Sequence, residues 1–309
     1  MGPDSKVRLV TEDSAVALFR MFKSSKKFEA YADTTKDLWG RELDHMGDPD
    51  CLGSLSREEI RPSIVQHYFD GLAGRPGKQQ AALAALKQFE KWAIVRDYLP
   101  RQITLGVEIE SMEDGHVPWT DEQVEIGERY AAPHIARPIT LAANTGQRGS
   151  DLVRMSPASL ETYKGMLGIN VTQKKTGKQI WVPVTSPLAT AMEGWERRPG
   201  PWLRNHLDLP YQRKQLTDAW AYERDTNPKL RPLRDAGLVM HGLRGTACVR
   251  LKRAGANELQ ISDMVGMSPK MVERYCRFSI QKENAMAAIV YLERTILERK
   301  NDMSNKAGL

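Results

Sequence analysis

The chain has 309 residues, a net charge of +6 and a mean hydropathy of -0.50. This length suffices for one large domain or two ordinary ones, each with its own core. No apolar run approaches the ~20 residues that a membrane span needs, and the N-terminus lacks the apolar stretch of a secretory signal. We therefore expect a soluble globular protein without a membrane segment.

Cysteine usage and charge narrow the class of protein further. The three cysteines, Cys51, Cys248 and Cys276, are far apart and odd in number, which favours a reducing compartment over a disulfide framework. No Cys/His cluster has metal-ligand spacing, so no zinc site is expected. The sequence pI of about 9.1 permits nucleic-acid binding without establishing it.

The first 115 residues read as helices. Ser56, followed by two glutamates, is typical of a helix N-terminus. Residues 78–93 give the clearest helix, with its lysines off an apolar stripe made by Ala82, Leu86, Phe89 and Ala93. This segment fits a plain helical bundle, and it fits equally a module that lays basic residues on DNA.

A change in composition marks a domain boundary. Apolar content falls between about residues 101 and 118, where acidic residues, Gly115 and Pro118 accumulate. Thr120 and Gln123 then form the pattern of a capping box, which begins a new helix. We place a helical domain in residues 1–115 and a second domain in residues 116–309.

The second domain begins with helices and then turns to strands. The motif T-G-Q-R-G-S predicts a helix end, a tight turn and a new helix, with Arg148 between two glycines; alone, this arginine fits an ordinary exposed turn. Residues 167–173 and 179–184 alternate and predict a β-hairpin with lysines at its tip and Gly177 as a positive-φ turn residue. Residues 231–233 are expected to form a loop.

The segment from His241 to Tyr275 carries the densest set of reactive side chains. His241 and Arg244, three positions apart, share one face of a helix. We expect this helix to break at Gly255 and the next to end at Gly266. A guanidinium, an imidazole and a phenol held together suit attack on a phosphate. After them, residues 282–299 predict an amphipathic helix that docks on its own domain or on a neighbouring subunit.

The order of these residues resembles the tyrosine recombinases, the phage-integrase family of site-specific recombinases. The matching motifs are T-G-Q-R-G-S-D-L at Arg148, Q-K-K-T-G-K-Q-I-W-V-P-V at Lys175, H-G-L-R-G-T at His241 and M-V-E-R-Y at Tyr275. The resemblance covers residues from about 120 to 290, and the helical segment before them fits the family's core-binding domain in character. It implies a mostly α protein with a small antiparallel β-sheet, an α+β fold.

The resemblance implies a role for each residue of the set. Tyr275 would be the nucleophile that forms a covalent 3′-phosphotyrosine, and Arg148 and Arg244 would clamp the phosphate oxygens. His241 would accept or relay a proton, and Lys175 would be the general acid, with Lys174 as the alternative. This scheme requires no metal ion, ATP or other cofactor.

One position departs from the family pattern. The family usually has histidine or tryptophan where this chain has Met267, and methionine cannot donate a hydrogen bond. The resemblance therefore makes Met267 a candidate sixth site member, with weaker support for the phosphate or the tyrosine. An alternative reading follows: a DNA-binding architectural protein of this fold that no longer cuts. A second alternative is a DNA-relaxing enzyme that resembles type IB topoisomerases.

The resemblance also implies partners and a location. Double-stranded DNA is the expected partner, held in part by a set of lysines: Lys78, Lys87, Lys91, Lys174 and Lys178. We expect a homotetramer on two DNA sites, with protomers linked by the 282–299 helix. The expected location is the cytoplasm, on the nucleoid of a bacterium or on phage DNA.

Overall fold

The described residues form three separate sets of buried apolar side chains. The computed structural model describes residues 12–111, 115–196, 198–277, 285–286 and 288–298. By its internal contacts the chain divides into two compact units, Met1–Gly115 and His116–Leu309. One apolar core belongs to the first unit, and a large and a small core belong to the second.

The first unit consists of helices whose apolar faces pack around buried aromatic rings. Their bounds are α1 Ala15–Lys23, α2 Lys26–Glu29, α3 Asp33–Met46, α4 Pro62–Asp70 and α5 Pro76–Ile94, with a π-helical turn at Pro49–Gly53. The predicted stripe of α5 is buried, as expected. Phe89 from this stripe packs edge-on against Phe19 and Phe22, with ring centroids 4.7 and 5.9 Å away. The aromatic contacts therefore tie α1 to α5.

The prediction that Ser56 begins a helix is wrong. Its backbone N–H and hydroxyl both donate to Oε2 of Glu59, at 2.9 and 3.0 Å, which closes a local turn. The helix begins at Pro62, where a missing N–H costs nothing. Arg61 is extended (φ -125°, ψ 156°), as expected for a residue before proline.

Three helices open the second unit, and their ends follow the predicted signals. They are α6 Asp121–Tyr130, α7 Pro133–Thr145 and α8 Gly149–Leu152. Thr120 and Gln123 form the predicted capping box at the start of α6. Gly146 ends α7 in the left-handed region, with φ 63°. The chain then turns so that Arg148 stands at the N-cap of α8.

A three-stranded antiparallel sheet contains the predicted hairpin. Its strands, β1 Leu160–Tyr163, β2 Met166–Thr172 and β3 Gln179–Pro183, lie in the order β1-β2-β3. Ile169 on β2 faces Val182 on β3, and both are fully buried. Gly177 has φ 68° in the hairpin turn, as predicted. Strand β1 was not predicted, because its four residues are mostly exposed and show no apolar alternation.

The next helices are α9 Ser186–Glu193, α10 Arg213–Thr226 and α11 Arg231–Asp235, with 3₁₀ turns at Pro157–Ser159 and Pro228–Leu230. The loop expected at residues 231–233 is wrong, because α11 begins there. Pro232 occupies the first turn of this helix, where its fixed φ is favourable and its missing N–H is not needed. Proline therefore lies in the first turn of a helix where a loop leading to His241 was expected.

Three helices carry the central motif. They are α12 Gly242–Arg253, α13 Glu258–Val265 and α14 Pro269–Cys276. Gly255 (φ 92°) follows α12 and Gly266 (φ 67°) ends α13, which confirms both predicted breaks. Asn257 caps α13 in a capping box with Gln260.

The predicted C-terminal helix lies partly outside the described residues. Residues 285–286 and 288–298 are helical. Their large apolar side chains are exposed, namely Met286, Ile289, Val290, Tyr291, Leu292, Ile296 and Leu297. Arg294 and Glu298 form an ion pair on the same helix, with 3.1 Å between Nε and Oε1.

The fold class predicted from the sequence is confirmed: the protein is mostly α with one small antiparallel sheet. In the described part of the chain, every helix is too short or too polar to cross a bilayer.

Candidate active site

Arg244 is the buried centre of the site. Its side chain is on the first turn of α12, and the residue is only 3% exposed. The guanidinium donates to the carbonyl oxygens of Gly146 at 2.5 Å and Gly266 at 3.3 Å. These carbonyls follow the ends of α7 and α13, where the helix dipoles are negative. Burial, together with the nearby charge of Arg148, lowers the pKa of Arg244 to about 10, so it stays charged at neutral pH.

Arg148 is oriented by a chain of amide side chains. Its guanidinium donates to Oε1 of Gln173, at 3.0 Å. Gln173 is itself 1% exposed, and its amide donates to Oε1 of Gln147 and to the carbonyl of Val265, each at 3.0 Å. The positive-φ residue Gly266 makes room for this amide, since a Cβ there would lie 2.3 Å from Nε2 of Gln173. A buried network therefore fixes the direction of a half-exposed arginine.

Asp151 ties the hairpin to the start of α8. Its Oδ1 atom accepts from the backbone N–H of Lys174 at 2.8 Å and from the guanidinium of Arg154 at 2.9 Å. The residue is 1% exposed, and among the described residues its Oδ2 atom has no hydrogen-bond partner. The hairpin tip is thus anchored by its backbone beside Arg148.

The hairpin lysines themselves are exposed. Lys174 and Lys175 follow β2 in the turn, with their side chains in solvent. Lys178 forms an ion pair with Asp263, with 3.7 Å between Nζ and Oδ1. Both side chains are largely exposed to solvent. The structure therefore fixes the backbone of the tip and leaves the Lys175 ammonium accessible.

His241 stands at the N-cap of α12, half-buried. Its ring lies edge-on to His116, with centroids 5.0 Å apart. Burial, reinforced by the charges of His116, Arg244 and Arg148, lowers the pKa of His241 to about 4. The imidazole is therefore neutral at pH 7 and able to accept a proton.

Tyr275, on α14, packs against α12 at the residue after Arg244. A Cβ at Gly245 would lie 2.7 Å from Cδ1 of Tyr275, so only glycine admits the ring at this distance. Burial raises the pKa of Tyr275, while the charges of Arg244, Arg274 and Arg148 oppose that shift. The cations thus favour the phenolate that burial disfavours.

Met267 packs against the same small apolar core as this tyrosine. It is half-buried against the small apolar core formed by α12, α13 and α14, which Tyr275 also contacts. Its sulfur accepts the thiol of Cys248 at 3.9 Å, and its backbone carbonyl accepts the hydroxyl of Ser262 at 2.5 Å. This side chain supplies packing to the site and no hydrogen-bond donor.

The sequence-predicted site residues fall into two groups. The charge of Arg148 affects the pKa values of His241, Arg244 and Tyr275, so these four residues lie close together, and the backbone of the Lys175 turn is anchored beside them. In the first unit, Lys87 and Lys91 are exposed on one face of α5, whereas Lys78 is in its first turn, about half a turn around the axis from Lys87.

The buried polar residues that support Arg148 and the hairpin tip were not predicted from the sequence. Gln147, Asp151 and Gln173 are each at most 2% exposed. Gln147 and Asp151 flank Arg148 inside a motif, and Gln173 directly precedes the hairpin lysines. Their polarity within or beside otherwise apolar elements was the one available signal, because buried polar side chains need partners.

This arrangement suits chemistry on a phosphodiester. Two guanidinium groups offer planar donors to a charged oxygen pair, and a neutral imidazole and a phenol lie beside them. In the part of the chain that the structure describes, no cluster of three His, Cys, Asp or Glu side chains has the arrangement of a metal site.

Solved structures of DNA integrases share this fold. A lambda integrase dimer bound to a COC′ core site is similar with a TM-score of 0.66 and 15% identity, over 84% of this chain and 76% of that one. A lambda integrase tetramer bound to a Holliday junction gives 0.64 and 14%, over 86% and 82%. A variant of the Tn1549 transposon integrase in complex with transposon right end DNA gives 0.71 and 14%, over 91% and 99%. No curated protein sequence matches the chain.

The conserved pattern of the phage integrase family matches residues 127–282, which is half of the chain and spans every candidate residue from Arg148 to Tyr275. This match and the shared fold agree with the motifs and with the side chains that the structure brings together. The chain therefore belongs to the phage integrase family, the tyrosine recombinases.

Proposed function

We propose that this protein is a site-specific recombinase that cleaves and rejoins DNA strands through a covalent 3′-phosphotyrosine at Tyr275. The observation that carries the proposal is the contact of the Tyr275 ring with Gly245, one residue from the buried guanidinium of Arg244. The nucleophile and a phosphate-binding cation thereby share one wall of the site.

In the cleavage step, the phenol oxygen of Tyr275 attacks phosphorus and the bond from phosphorus to the 5′-oxygen breaks. The phenol proton passes to His241, which is neutral before the reaction because its pKa is lowered. The leaving 5′-oxygen takes a proton from the ammonium of Lys175, with Lys174 as the alternative donor. Rejoining reverses these steps with the 5′-hydroxyl of another strand.

Arg148 and Arg244 bind the non-bridging oxygens, on which charge accumulates in the transition state. Their orientation is set before DNA binds, by Gln173 for Arg148 and by the carbonyls of Gly146 and Gly266 for Arg244. Such preorganised donors cost no rearrangement during the reaction, and losing one typically slows a reaction by ~10²–10³.

The proposal extends to DNA binding and assembly. The first unit acts as the core-binding domain, with the lysines of α5 on the phosphate backbone. The related lambda integrase has been described as a dimer on a core site and as a tetramer on a Holliday junction. We infer a tetramer on two DNA sites here, joined through the exposed apolar face of the helix at residues 288–298.

A suicide substrate tests the proposal. Purified protein is incubated with short duplexes of random sequence that carry a nick, so that the fragment released by cleavage diffuses away. We expect a covalent protein–DNA adduct that resists denaturation and forms in the presence of a chelator, and sequencing its DNA identifies the site.

Tyr275→Phe should form no adduct. Tyr222→Phe, at a tyrosine 70% exposed on α10, is the matched control and should behave like wild type. An adduct with Tyr275→Phe, or none with wild type across the whole library, contradicts the proposed nucleophile. The second outcome favours a non-cutting architectural protein, for which Met267 is the favouring feature. Relaxation of arbitrary supercoiled plasmid by the wild type favours a topoisomerase-like activity.

A further inference from the structure

One more arginine lies beside the site. Arg213 is the first residue of α10, held there by a capping box between Gln212 and Gln215. Its Cγ atom lies 3.7 Å from the position of a Cβ on Gly149. The alkyl part of Arg213 therefore lies across the start of α8, next to the residue that follows Arg148.

The head group of Arg213 is available for an anion. The residue is exposed, and within the described ranges its side chain forms no hydrogen bond and no ion pair. The next residue differs, since the ammonium of Lys214 lies 2.6 Å from the carboxylate of Asp218. An unpaired guanidinium close to other cations is electrostatically unfavourable until an anion enters.

Arg213 is close enough to the candidate site for its charge to act on His241. After burial, His116, Arg244 and Arg148, it is a further cause of the lowered pKa of His241. Arg213 also stands at the N-terminus of a helix of 14 residues, whose dipole attracts negative charge.

We propose that Arg213 binds a non-bridging oxygen of the backbone phosphate next to the scissile one. This rests on the proposed function. Arg244 is buried and Arg148 is half-buried, hydrogen bonds fix both in position, and the proposed function puts both on the scissile phosphate. Arg213 is the exposed member of the three, so it meets the strand further out. Phosphates follow one another at about 3.4 Å along the axis of one strand, so the neighbouring phosphate is the next available anion.

The test removes the two partners separately and together. Single-turnover adduct formation is measured for wild type and Arg213→Ala on suicide substrates with one phosphate replaced by an uncharged methylphosphonate. The replacement is placed at the scissile position, at the phosphate on either side, and at a distant position. We expect Arg213→Ala to slow the reaction on natural DNA on the order of ten-fold, as for the loss of a hydrogen bond to a charged group.

On the substrate neutralised at one of the two adjacent phosphates, wild type and Arg213→Ala should react at the same rate, because the contact is already absent. The slope of log K against log salt should fall by about 1 for Arg213→Ala. Lys214→Ala, at the paired neighbour, should change neither rate nor slope, and Arg213→Lys should retain part of the effect.

The proposal is overturned if Arg213→Ala slows the reaction by the same factor on natural DNA and on both substrates that carry a methylphosphonate next to the scissile phosphate. It is also overturned if the effect of Arg213→Ala disappears only when the scissile phosphate itself is replaced by methylphosphonate. If the wild type forms no adduct at all, the proposed function itself has failed, and this outcome is distinct from a wild type that reacts and an Arg213→Ala that reacts equally fast. Thermal melts that match between the variants exclude misfolding as the cause of any loss.

Discussion

The guanidinium of Arg244 donates to the carbonyl oxygen of Gly146 at 2.5 Å, and it reaches the carbonyl of Gly266 at 3.3 Å. Both glycines end helices in the left-handed region. One cation therefore joins the negative ends of α7 and α13 and is held in place before any DNA arrives. The same contacts explain how a charge that is almost fully buried is tolerated.

We expect Arg244→Lys to be damaging although it keeps the charge. An ammonium cannot span both carbonyls and a phosphate in the planar geometry of a guanidinium. Adduct formation should slow by ~10²–10³, and the free energy of unfolding should fall by about 1–3 kcal/mol because a buried acceptor loses its donor. Single-turnover kinetics and urea denaturation measure the two effects.

Arg250→Lys is the control for this substitution. Arg250 is on the same helix and pairs with Asp121 at 2.6 Å on the surface. Its replacement should change stability by less than about 1 kcal/mol and leave cleavage unchanged. An Arg244→Lys variant that cleaves within a few-fold of wild type contradicts the bridging role.

Two features require glycine at position 266: a positive φ and the close approach of a neighbouring side chain. Its φ of 67° strains any L side chain, and a Cβ would lie 2.3 Å from the amide of Gln173. We expect Gly266→Ala to lower the free energy of unfolding by about 2–4 kcal/mol, from backbone strain and overpacking together. It should also slow adduct formation, because the displaced Gln173 orients Arg148.

Gly255→Ala separates the two causes. Gly255 has φ 92°, but a Cβ there would meet no atom within 4 Å. This variant should lose only the backbone part, about 1–2 kcal/mol, and should cleave DNA at the wild-type rate. Equal losses for the two variants would show that the contact with Gln173 contributes nothing.

The helix breaks at Gly255 and Gly266 were predictable because glycine after an apolar helical stretch has one common structural meaning. The hairpin was predictable from alternation around Gly177. The strand β1 was not, because its pairing with β2 lies in the backbone and leaves no pattern on four mostly exposed residues. Local residue patterns thus specified the helices that end at glycine and the strands whose apolar and polar residues alternate.

The candidate site shows the same division. Charged and reactive residues were found because their types and order suit one chemistry. Gln173 was missed because its importance comes from partners far away in sequence: Gln147, 26 positions before it, and Val265, 92 positions after it. Contacts of this range depend on the folded arrangement, so the neighbouring residues in the sequence do not identify the partners.

The lowered pKa of His241 predicts a pH dependence of stability. The unfolded chain binds this proton with a pKa near 6.5, and the folded chain only with a pKa of about 4. As the pH falls below 6.5, the unfolded state gains protons first, so stability present above that pH is lost toward pH 4. The loss attributable to His241 should be at most about 2 kcal/mol at pH 5.

His241→Gln removes the titrating group and should flatten this part of the curve. Urea denaturation at pH 7, 6 and 5 gives the difference in unfolding free energy between the two proteins at each pH. That difference should shift in favour of the variant as the pH falls. A constant difference across the range means that His241 does not remain neutral in the folded state.

The exposed apolar face at residues 288–298 predicts an effect on assembly. Ile289→Lys places a charge on this face, whereas Thr295→Lys places the same charge about 120° away around the helix axis. We expect Ile289→Lys to reduce tetramer formation on DNA at least ten-fold, with the melting temperature of the free protein unchanged, and Thr295→Lys to have neither effect. Gel-shift and light-scattering measurements report the assembly state, and intact synapsis with Ile289→Lys counts against the proposed interface.

Met267 offers the most direct test of how the family's sixth position works. Its thioether accepts the thiol of Cys248 at 3.9 Å and gives the site no donor. Met267→His restores the side chain usual in the family, and its N–H can stabilise charge on the phosphate in the transition state. We expect adduct formation to be faster on the order of ten-fold, with about 1 kcal/mol of stability lost where the imidazole replaces an apolar contact. Met267→Leu keeps the volume without adding a donor, so its rate should stay at the wild-type level. If Met267→His is no faster than Met267→Leu under single-turnover conditions, the arginines already supply all the stabilisation that the phosphate receives, and the methionine is not the weak point of this site.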